Sequence, residues 1–322
     1  MSVTPPTPLG PGGEFDRLRA VFARLGPRVA AVGDDAALVT IDGAALALSC
    51  DLVVEGRHFR RDWLTPGEIG WRACAAALSD LAAVAAEPLG VLAAVGVPEG
   101  SEGTFLEEVM EGVGAAAAAC GASVWGGDLV RAPQVTMDVM VVGRASHPVR
   151  RRGARAGDGV WVTGALGAPA AAVAVWEAGA NPGPGLRDRF ARPVPRVAEA
   201  WWLRDRGATA MLDVSDGLVG DAGHLAAASG VAVEIEVERV PVHEAVTTDP
   251  AVTADEAVRY ALTGGEEYEL LVALPASFAE AAAFAESFGI ALTRVGTVRA
   301  GTGVSVMRDG RQIEVGAGFS HF

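Results

Sequence analysis

The stretch VGDDAALVTIDGAALALSCDLVVEGRHF, residues 32–59, decides how the first half of the chain folds. Two apolar runs flank Asp42-Gly43, a dipeptide that favours the tight turn of a β-hairpin. Alternate residues of a strand project to one face, so Ser49 and Asp51 are predicted to share a face of the second strand. The stretch therefore predicts a hairpin with carboxylates beside its strands.

Helical and strand patterns alternate along the rest of the first half. A helix from Thr65 to Ala86 has Thr65-Pro66 as its N-cap and first-turn proline, and Asp80 lies near its end. The opening MSVTPPTPLGPGGEF is predicted to be a loose tail, without the features of a signal peptide. Hydrophobic periodicity predicts further helices at 14–25 and 102–120, and strands at 89–97 and 135–142.

A basic, glycine-rich segment at 146–159 is typical of a linker between domains. The second half then repeats the mixture of strands and helices, which predicts an α+β (α/β) fold with two domains, 1–148 and 149–322. In LDVSDGL, Asp213 is expected to end a strand and Ser215 or Asp216 to cap the next helix, whose N-terminus would suit a phosphate.

Composition limits the possible partners and compartments. The chain has 322 residues, half of them apolar, a net charge of −14 and an isoelectric point near 4.8, so duplex nucleic acid is not an expected partner. Three separated cysteines favour neither a disulfide scaffold nor a thiolate zinc site, and they fit the cytoplasm. Glycines and a proline interrupt the uncharged run at 159–176, so no membrane span is predicted.

The sequence contains no lysine, and all 26 basic residues are arginines. This composition excludes a P-loop lysine, the strand lysine of protein kinases, Schiff-base catalysis and a Ser-x-x-Lys nucleophile. If the protein handles phosphates, metal ions, arginines and backbone N–H groups must neutralise them.

Five acidic segments are predicted to lie in turns or at the ends of elements, beside glycines, small residues or hydroxyls, and none has a cationic partner within two residues. Carboxylates gathered in this way repel one another, and divalent cations or pKa shifts usually compensate. Oxygen ligands suit magnesium, which often accompanies nucleotide phosphates. The segments are Gly33-Asp34-Asp35, Ser49-Cys50-Asp51, Ser79-Asp80, Gly126-Gly127-Asp128 and Asp213-Val214-Ser215-Asp216-Gly217.

An ordered set of motifs over nearly the whole chain resembles the thiamine-monophosphate kinase family, within the aminoimidazole ribonucleotide synthetase-like superfamily. Each motif alone is weakly specific, but their order is highly specific. The motifs are GEF (13–15), GDDAA (33–37), SCDLVVEGRHF (49–59), LSDLAAV (78–84), EP (87–88), GGD (126–128), RRGARAGD (151–158), VTGALG (162–167), LDVSDGL (212–218), GGEEYEL (264–270) and GFSHF (318–322).

The resemblance implies ATP-dependent phosphorylation of thiamine monophosphate to thiamine diphosphate by direct in-line transfer. It also implies a homodimer paired through N-terminal domains with mixed sheets, and nucleotide bound between that domain and a C-terminal α/β domain. By motif, it assigns several magnesium ions to Asp35, Ser49, Asp51, Asp80, Asp128, Asp213 and Asp216. It assigns ATP to Gly127, Asp128, Arg151 and Ser215, and the thiamine substrate to His58, Glu266 and Phe319, with Asp80 and Asp216 as catalytic residues.

Three positions depart from the pattern of the family. Cys50 stands where the family commonly has threonine, Leu129 follows GGD in place of threonine, and Glu267 replaces the aspartate of GGEDYEL. These departures bear on individual ligands more than on the activity.

Other functions also fit the sequence. A sister enzyme of the same fold is one alternative, such as a selenophosphate synthetase, an aminoimidazole ribonucleotide synthetase or the hydrogenase-maturation dehydratase. Residues 1–30 lack the reactive cysteine expected of the first, and Ser320-His321-Phe322 lacks the cysteine tail of the last. A metal-dependent phosphohydrolase and a non-catalytic nucleotide sensor are the alternatives from other classes.

Overall fold

The computed structural model describes residues 2–101 and 104–316. The elements of the first half are β1 (Ser2–Val3), α1 (Gly13–Leu25), β2 (Ala37–Ile41), β3 (Ala44–Val54), α2 (Pro66–Ala83), β4 (Glu87–Val97), α3 (Phe105–Ala119), β5 (Ser123–Arg131) and β6 (Thr136–Arg144). Those of the second half are β7 (Gly159–Thr163), α4 (Ala168–Glu177), α5 (Pro184–Ala191), α6 (Val197–Asp205), β8 (Ala210–Asp213), α7 (Leu218–Ser229), β9 (Ala232–Glu236), α8 (Glu244–Thr248), α9 (Ala254–Thr263), β10 (Leu270–Leu274), α10 (Ala281–Phe288), β11 (Leu292–Arg299), β12 (Gly303–Arg308) and β13 (Arg311–Ile313).

The predicted hairpin is confirmed as β2 and β3, which pair antiparallel around Asp42-Gly43. Asp42 and Gly43 have φ angles of 50° and 86°, the left-handed values that a two-residue hairpin turn requires. Helix α2 is confirmed with a capping box, in which Thr65 and Glu68 satisfy each other's backbone N–H groups. Three of the four acidic segments of the first half lie just before β2, on β3 and on α2, so the hairpin and α2 position these three.

The first half forms a six-stranded mixed sheet in the order β1-β2-β3-β6-β4-β5, in which only β4 and β5 run parallel. Helices α2 and α3 pack on each other beside it. Met137, Val139 and Val141 of β6 are fully buried on the helix side, whereas Met140 of the same strand is exposed. The face of the sheet opposite the helices, which carries Met140, is therefore uncovered in the single chain. We call it the bare face.

Gly126-Gly127-Asp128 lies within β5, so the expectation that this acidic segment occupies a turn or the end of an element is wrong. The residues pair with β4, and a Cβ on Gly127 would come within 1.8 Å of the Ala93 carbonyl oxygen. A close backbone approach thus explains Gly127. Asp128 stands opposite Ala94, which is exposed on the bare face, and is itself exposed.

The predicted loose tail is also wrong in part. Ser2 and Val3 pair with β2 as a short edge strand. Thr7 is buried, and its N–H donates to the Val32 carbonyl at 2.8 Å. Backbone pairing holds this segment even though its prolines and glycines suggest a loop.

The second half forms a seven-stranded sheet in the order β13-β12-β9-β11-β7-β10-β8, with only β9 and β12 parallel. The connection between β6 and β7, all of it described, contains neither helix nor strand, as expected of a linker. In the described part of the chain, no helix is long and apolar enough to cross a bilayer.

Candidate active site

Four elements bring carboxylates to one place between the two halves. Asp35 precedes β2, Asp51 lies on β3, Asp80 lies on α2, and Asp213 ends β8 as predicted. Oxygen atoms of Asp35, Asp80 and Asp213 all lie within 4.8 Å of one another. We call Asp35, Asp51, Asp80 and Asp213 the acidic centre.

Hydroxyl groups provide part of the local hydrogen bonding. Ser49 Oγ donates to Asp80 and lies 3.1 Å from the Asp35 carbonyl oxygen, while Ser79 Oγ donates to Asp213 at 2.7 Å. Asp51 also lies beside Asp80 and raises the pKa of that carboxyl group. The predicted shared face of Ser49 and Asp51 is therefore confirmed, and hydroxyls supply hydrogen bonds without balancing charge.

The pKa values of the acidic centre are raised. Burial, and then the neighbouring Asp138 and Glu266, raise the pKa of Asp51 to about 6. Burial, followed by Asp35, raises the pKa of Asp213 to about 8, and burial followed by Asp51 and Asp213 raises that of Asp80 as well. Ionisation of the acidic centre is unfavourable without added positive charge.

The predicted linker supplies arginines to this site. Arg151 pairs with Asp35 at 2.5 Å, and Arg150 pairs with Asp34 at 2.9 Å. Asp34 also accepts the Arg151 backbone N–H at 3.0 Å. Asp35 Oδ2 remains buried and has no hydrogen-bond partner among the described residues. One oxygen of Asp35 is thus used by Arg151, and the other is available to a cation.

A second group lies at the start of α7. Asp221 Oδ2 accepts the backbone N–H groups of Asp216 and Gly217 at 3.1 and 3.0 Å. The N-cap of α7 is Gly217, so the expected cap by Ser215 or Asp216 is wrong. His224 Nε2 lies 3.9 Å from Asp216, and metal-binding atoms of Asp216, Asp221 and His224 lie within 4.8 Å of one another.

His58 and Glu266 mark the opposite end of the site. Glu266 pairs with Arg72, a residue of α2 that is 2% exposed. The Arg72 guanidinium also donates to the His58 carbonyl at 3.3 Å, and His58 Nδ1 accepts the Val54 N–H at 3.0 Å. A buried arginine therefore holds together the two predicted substrate residues.

Two cavities meet at this end. The first, of about 860 Å³, holds the acidic centre, Arg151, Ser215 and Asp216. The second, of about 440 Å³, has aromatic walls. Arg57, His58 and Glu266 line both cavities. The walls of the second cavity include Trp63, Phe190 and Tyr260. The arrangement joins a group of carboxylates suited to cations to an aromatic pocket whose walls suit an organic ring system.

A single chain does not bring Gly127 and Asp128 to the acidic centre. Strands β6 and β4 separate β5 from β3, a distance of roughly 14 Å at ordinary strand spacing. Asp128 belongs to the bare face, whereas Asp51 faces Asp80 on the helix side. Phe319 lies outside the described residues.

Arg72, Asp221 and His224 were not predicted. Arg72 is the only charged residue between Glu68 and Asp80 of an Ala-rich helix, which could have marked it. Asp221 in the first turn of α7 and His224 three positions later could have been noticed as a polar face beside LDVSDGL. Sequence spacing alone does not show that these side chains are buried.

The residues present fit divalent cations. Clustered carboxylate oxygens with raised pKa values, together with the unpartnered Asp35 Oδ2, form the hard oxygen ligands that magnesium prefers. The charge of a cation would also offset the mutual repulsion of these groups.

Comparison with known proteins agrees with this architecture. A family model described as AIR synthase related protein, N-terminal domain, matches residues 33–145, and the corresponding C-terminal domain matches residues 155–309. The fold and site therefore define a chain of two AIR synthase-related domains. The boundary between 148 and 149 remains a prediction.

Relatives narrow this class. The chain is 34% identical to thiamine-monophosphate kinase of Salmonella typhimurium, covering 96% of this chain and 95% of the relative. It is 33% identical to that of Aquifex aeolicus, covering 96% and 98%. The solved structure of AaThiL complexed with AMPPCP and TMP superposes with a TM-score of 0.84 at 32% identity, covering 96% and 97%. The chain belongs to the thiamine-monophosphate kinase family.

Proposed function

We propose that this chain transfers the γ-phosphoryl group of ATP to thiamine monophosphate, giving thiamine diphosphate and ADP. Family membership supports the substrates, and the solved relative binds AMPPCP and TMP. The observation that carries the proposal is the acidic centre, where three carboxylates meet within 4.8 Å in a cavity that adjoins an aromatic pocket.

The proposed chemistry needs no strong general base. A phosphate oxygen of thiamine monophosphate, already anionic at neutral pH, forms a bond to the γ-phosphorus as the bond to the β,γ-bridging oxygen breaks. ADP leaves with that electron pair. Orientation and charge compensation are then the main tasks of the protein.

Several magnesium ions are part of the proposal. When bound, they would offset the charge of the phosphate oxygens. Asp80 and Asp216 are the proposed catalytic residues because their motifs match those of the family and both side chains line the first cavity. The proposed ligands are Asp35, Ser49, Asp51, Asp80, Asp128, Asp213 and Asp216.

Other residues of the site would bind the two substrates. Arg151 and Ser215, which line or adjoin the acidic centre, are proposed for ATP together with Gly127 and Asp128. His58 and Glu266 are proposed for thiamine monophosphate because they stand where the aromatic cavity opens, and Phe319 is proposed from its motif. Arg72 would fix the orientation of Glu266. ATP and free cysteines make the cytoplasm the expected compartment.

A homodimer is proposed through the bare face of the first sheet. The exposed apolar side chains of this face and of its edge strand β5 include Leu52, Trp125, Leu129, Val130 and Met140. Pairing would bury them and would place Asp128 beside the second copy, which reconciles its proposed role with its position.

Light scattering should give twice the chain mass for the native protein and the single mass for Leu52→Glu. A monomeric native protein would refute this pairing.

Phosphorus NMR of the protein with ATP, magnesium and thiamine monophosphate tests the proposed function. Parallel samples omit one component each. Thiamine diphosphate and ADP should appear together, and only in the complete sample. Release of ADP and free phosphate regardless of thiamine monophosphate would instead identify a phosphohydrolase or a sister enzyme.

A further inference from the structure

Tyr268 is a buried residue of the first cavity whose hydroxyl group is left without a hydrogen bond. The residue lines that cavity and is 8% exposed. Its hydroxyl has no hydrogen-bond partner among the described residues. A buried polar group without a partner loses its hydrogen bonds to water and gains none in return. The hydroxyl therefore marks a place where a bound molecule would complete the hydrogen bonding.

The backbone around Tyr268 is held in an uncommon conformation. Glu266 and Tyr268 have φ angles of 66° and 53°, in the left-handed region that residues other than glycine rarely adopt. The Tyr268 N–H donates to the Val214 carbonyl at 2.9 Å. The Glu266 N–H donates to the Ser215 carbonyl at 2.7 Å. These bonds fix the segment against the residues that follow β8, and strain of this kind is kept most often at functional sites.

The charged groups around the hydroxyl show where it lies. Burial raises the pKa of Tyr268 well above its usual value, Glu266 raises it further, and Arg72 lowers it. Asp51 and Asp213 of the acidic centre also raise this pKa. The hydroxyl therefore lies between the acidic centre and the pair formed by Arg72 and Glu266, and it keeps its proton at neutral pH.

The arginine beside Tyr268 is already bonded to protein groups. Arg72 pairs with Glu266 and donates to the carbonyl oxygens of His58 and Phe190. Its donors thus hold the walls of the site together. The hydroxyl of Tyr268 is, by contrast, a buried donor whose hydrogen bond is still free for a ligand.

The proposed function, on which this step rests, places the ring of the acceptor in the aromatic cavity and its phosphate toward the acidic centre. We propose that Tyr268 is a catalytic residue whose hydroxyl donates a hydrogen bond to a non-attacking oxygen of the acceptor phosphate. This bond would turn the attacking oxygen toward the γ-phosphorus of ATP. Tyrosine keeps its proton while the new bond to phosphorus forms and the bond to the β,γ-bridging oxygen breaks.

Calorimetry in the presence of AMPPCP and magnesium compares thiamine monophosphate with thiamine, which lacks the phosphate. Tyr268→Phe keeps the ring and removes the hydroxyl, so it should weaken binding of thiamine monophosphate about tenfold and change binding of thiamine less than twofold. Ser287→Ala, which removes an exposed hydroxyl from α10, should change neither. An unchanged affinity of Tyr268→Phe for thiamine monophosphate, or an equal loss for both compounds, would overturn the proposal.

Fluorine NMR observes the same contact in the native side-chain environment. The chain has two tyrosines, Tyr260 and Tyr268, so protein labelled with 3-fluorotyrosine should give two resonances. The resonance missing from Tyr268→Phe should shift when thiamine monophosphate is added with AMPPCP and magnesium, and stay in place with thiamine. An equal response to both compounds would refute the contact. Failure of native protein to bind thiamine monophosphate would refute the proposed function, and this contact with it.

Discussion

Two buried acidic sites in this chain, Glu269 with its arginine partners and the acidic centre, differ in how their charge is balanced. Glu269, 1% exposed, accepts hydrogen bonds from Arg196 at 2.8 and 2.5 Å, from Arg189 at 2.8 Å and from Thr163 at 2.7 Å. Burial raises the pKa of Glu269, but the arginines outweigh burial and hold it below its usual range. In the acidic centre, burial and mutual repulsion prevail, and the pKa values are raised.

The difference separates a structural role from a functional one. The Glu269 group is complete within the chain, so it connects β10 to the segments around α5 and α6 without any ligand. The acidic centre is incomplete, because Arg151 is its one direct ion-pair partner among the described residues. Disruption of the Glu269 ion pairs should therefore lower the free energy of unfolding, whereas loss of a carboxylate from the acidic centre should lower the catalytic activity.

The largest expected effect comes from a substitution in the acidic centre. Asp80→Asn keeps the shape of the side chain but removes a charge, so kcat for thiamine diphosphate formation should fall about 1000-fold. The urea midpoint should not fall, because one source of repulsion is lost. Steady-state kinetics measures the change, and Asp42→Asn at the exposed hairpin turn is the control. A wild-type kcat at saturating magnesium would refute the role of Asp80.

Substitution of Glu269 should give the next largest effect, a loss of unfolding free energy. Glu269→Gln leaves the buried Arg196 with only its longer, 3.5 Å pair to Glu199, which should cost about 3 kcal/mol of unfolding free energy. Urea denaturation followed by fluorescence measures the loss. Asp213→Asn, a matched replacement of one buried carboxyl group, should cost much less, because burial and Asp35 raise the pKa of Asp213 to about 8 and leave it largely uncharged without cations. Equal destabilisation by the two changes would remove the distinction drawn here.

The two sites should also differ in how they affect the pH dependence of stability. With pKa values of about 6 for Asp51 and about 8 for Asp213, the folded chain retains protons that the unfolded chain loses near pH 3.8. Without divalent cations, unfolding free energy should therefore fall from pH 5.5 to 7.5, by on the order of 1 kcal/mol per pH unit. The lowered pKa of Glu269 adds no slope in this window, since its stabilisation is lost only on acidification.

Urea titrations in EDTA at several pH values measure this slope. Asp213→Asn should reduce the slope because it removes one of the titrating groups. A stability that rises with pH over the same window in the native protein would contradict the raised pKa values.

The smallest effect concerns a departure from the family pattern. Cys50 is exposed on the bare face at the border of the first cavity, and its thiol donates to Asp138 at 2.8 Å rather than to the acidic centre. Cys50→Thr should therefore change kcat less than twofold and stability by less than about 0.5 kcal/mol. A large gain of activity in the variant would show that Cys50 limits the site.

The sequence predicts those parts of this site that depend on local rules. The turn at Asp42-Gly43 sets the register of β3, so the shared face of Ser49 and Asp51 follows from alternation. The position of Asp213 at the end of β8 follows from the apolar run before it. Arg72 and the bare face beside Asp128 depend on packing between distant segments, which no local pattern encodes.

Binding of Mn²⁺ followed by electron paramagnetic resonance, in the presence of AMPPCP, tests most directly whether the acidic centre binds divalent cations. The titration compares native protein with Asp80→Asn and Glu269→Gln, below the unfolding temperature of each. We predict that Glu269→Gln binds as many tight ions as native protein and that Asp80→Asn binds fewer. Equal binding by Asp80→Asn and native protein would contradict the account.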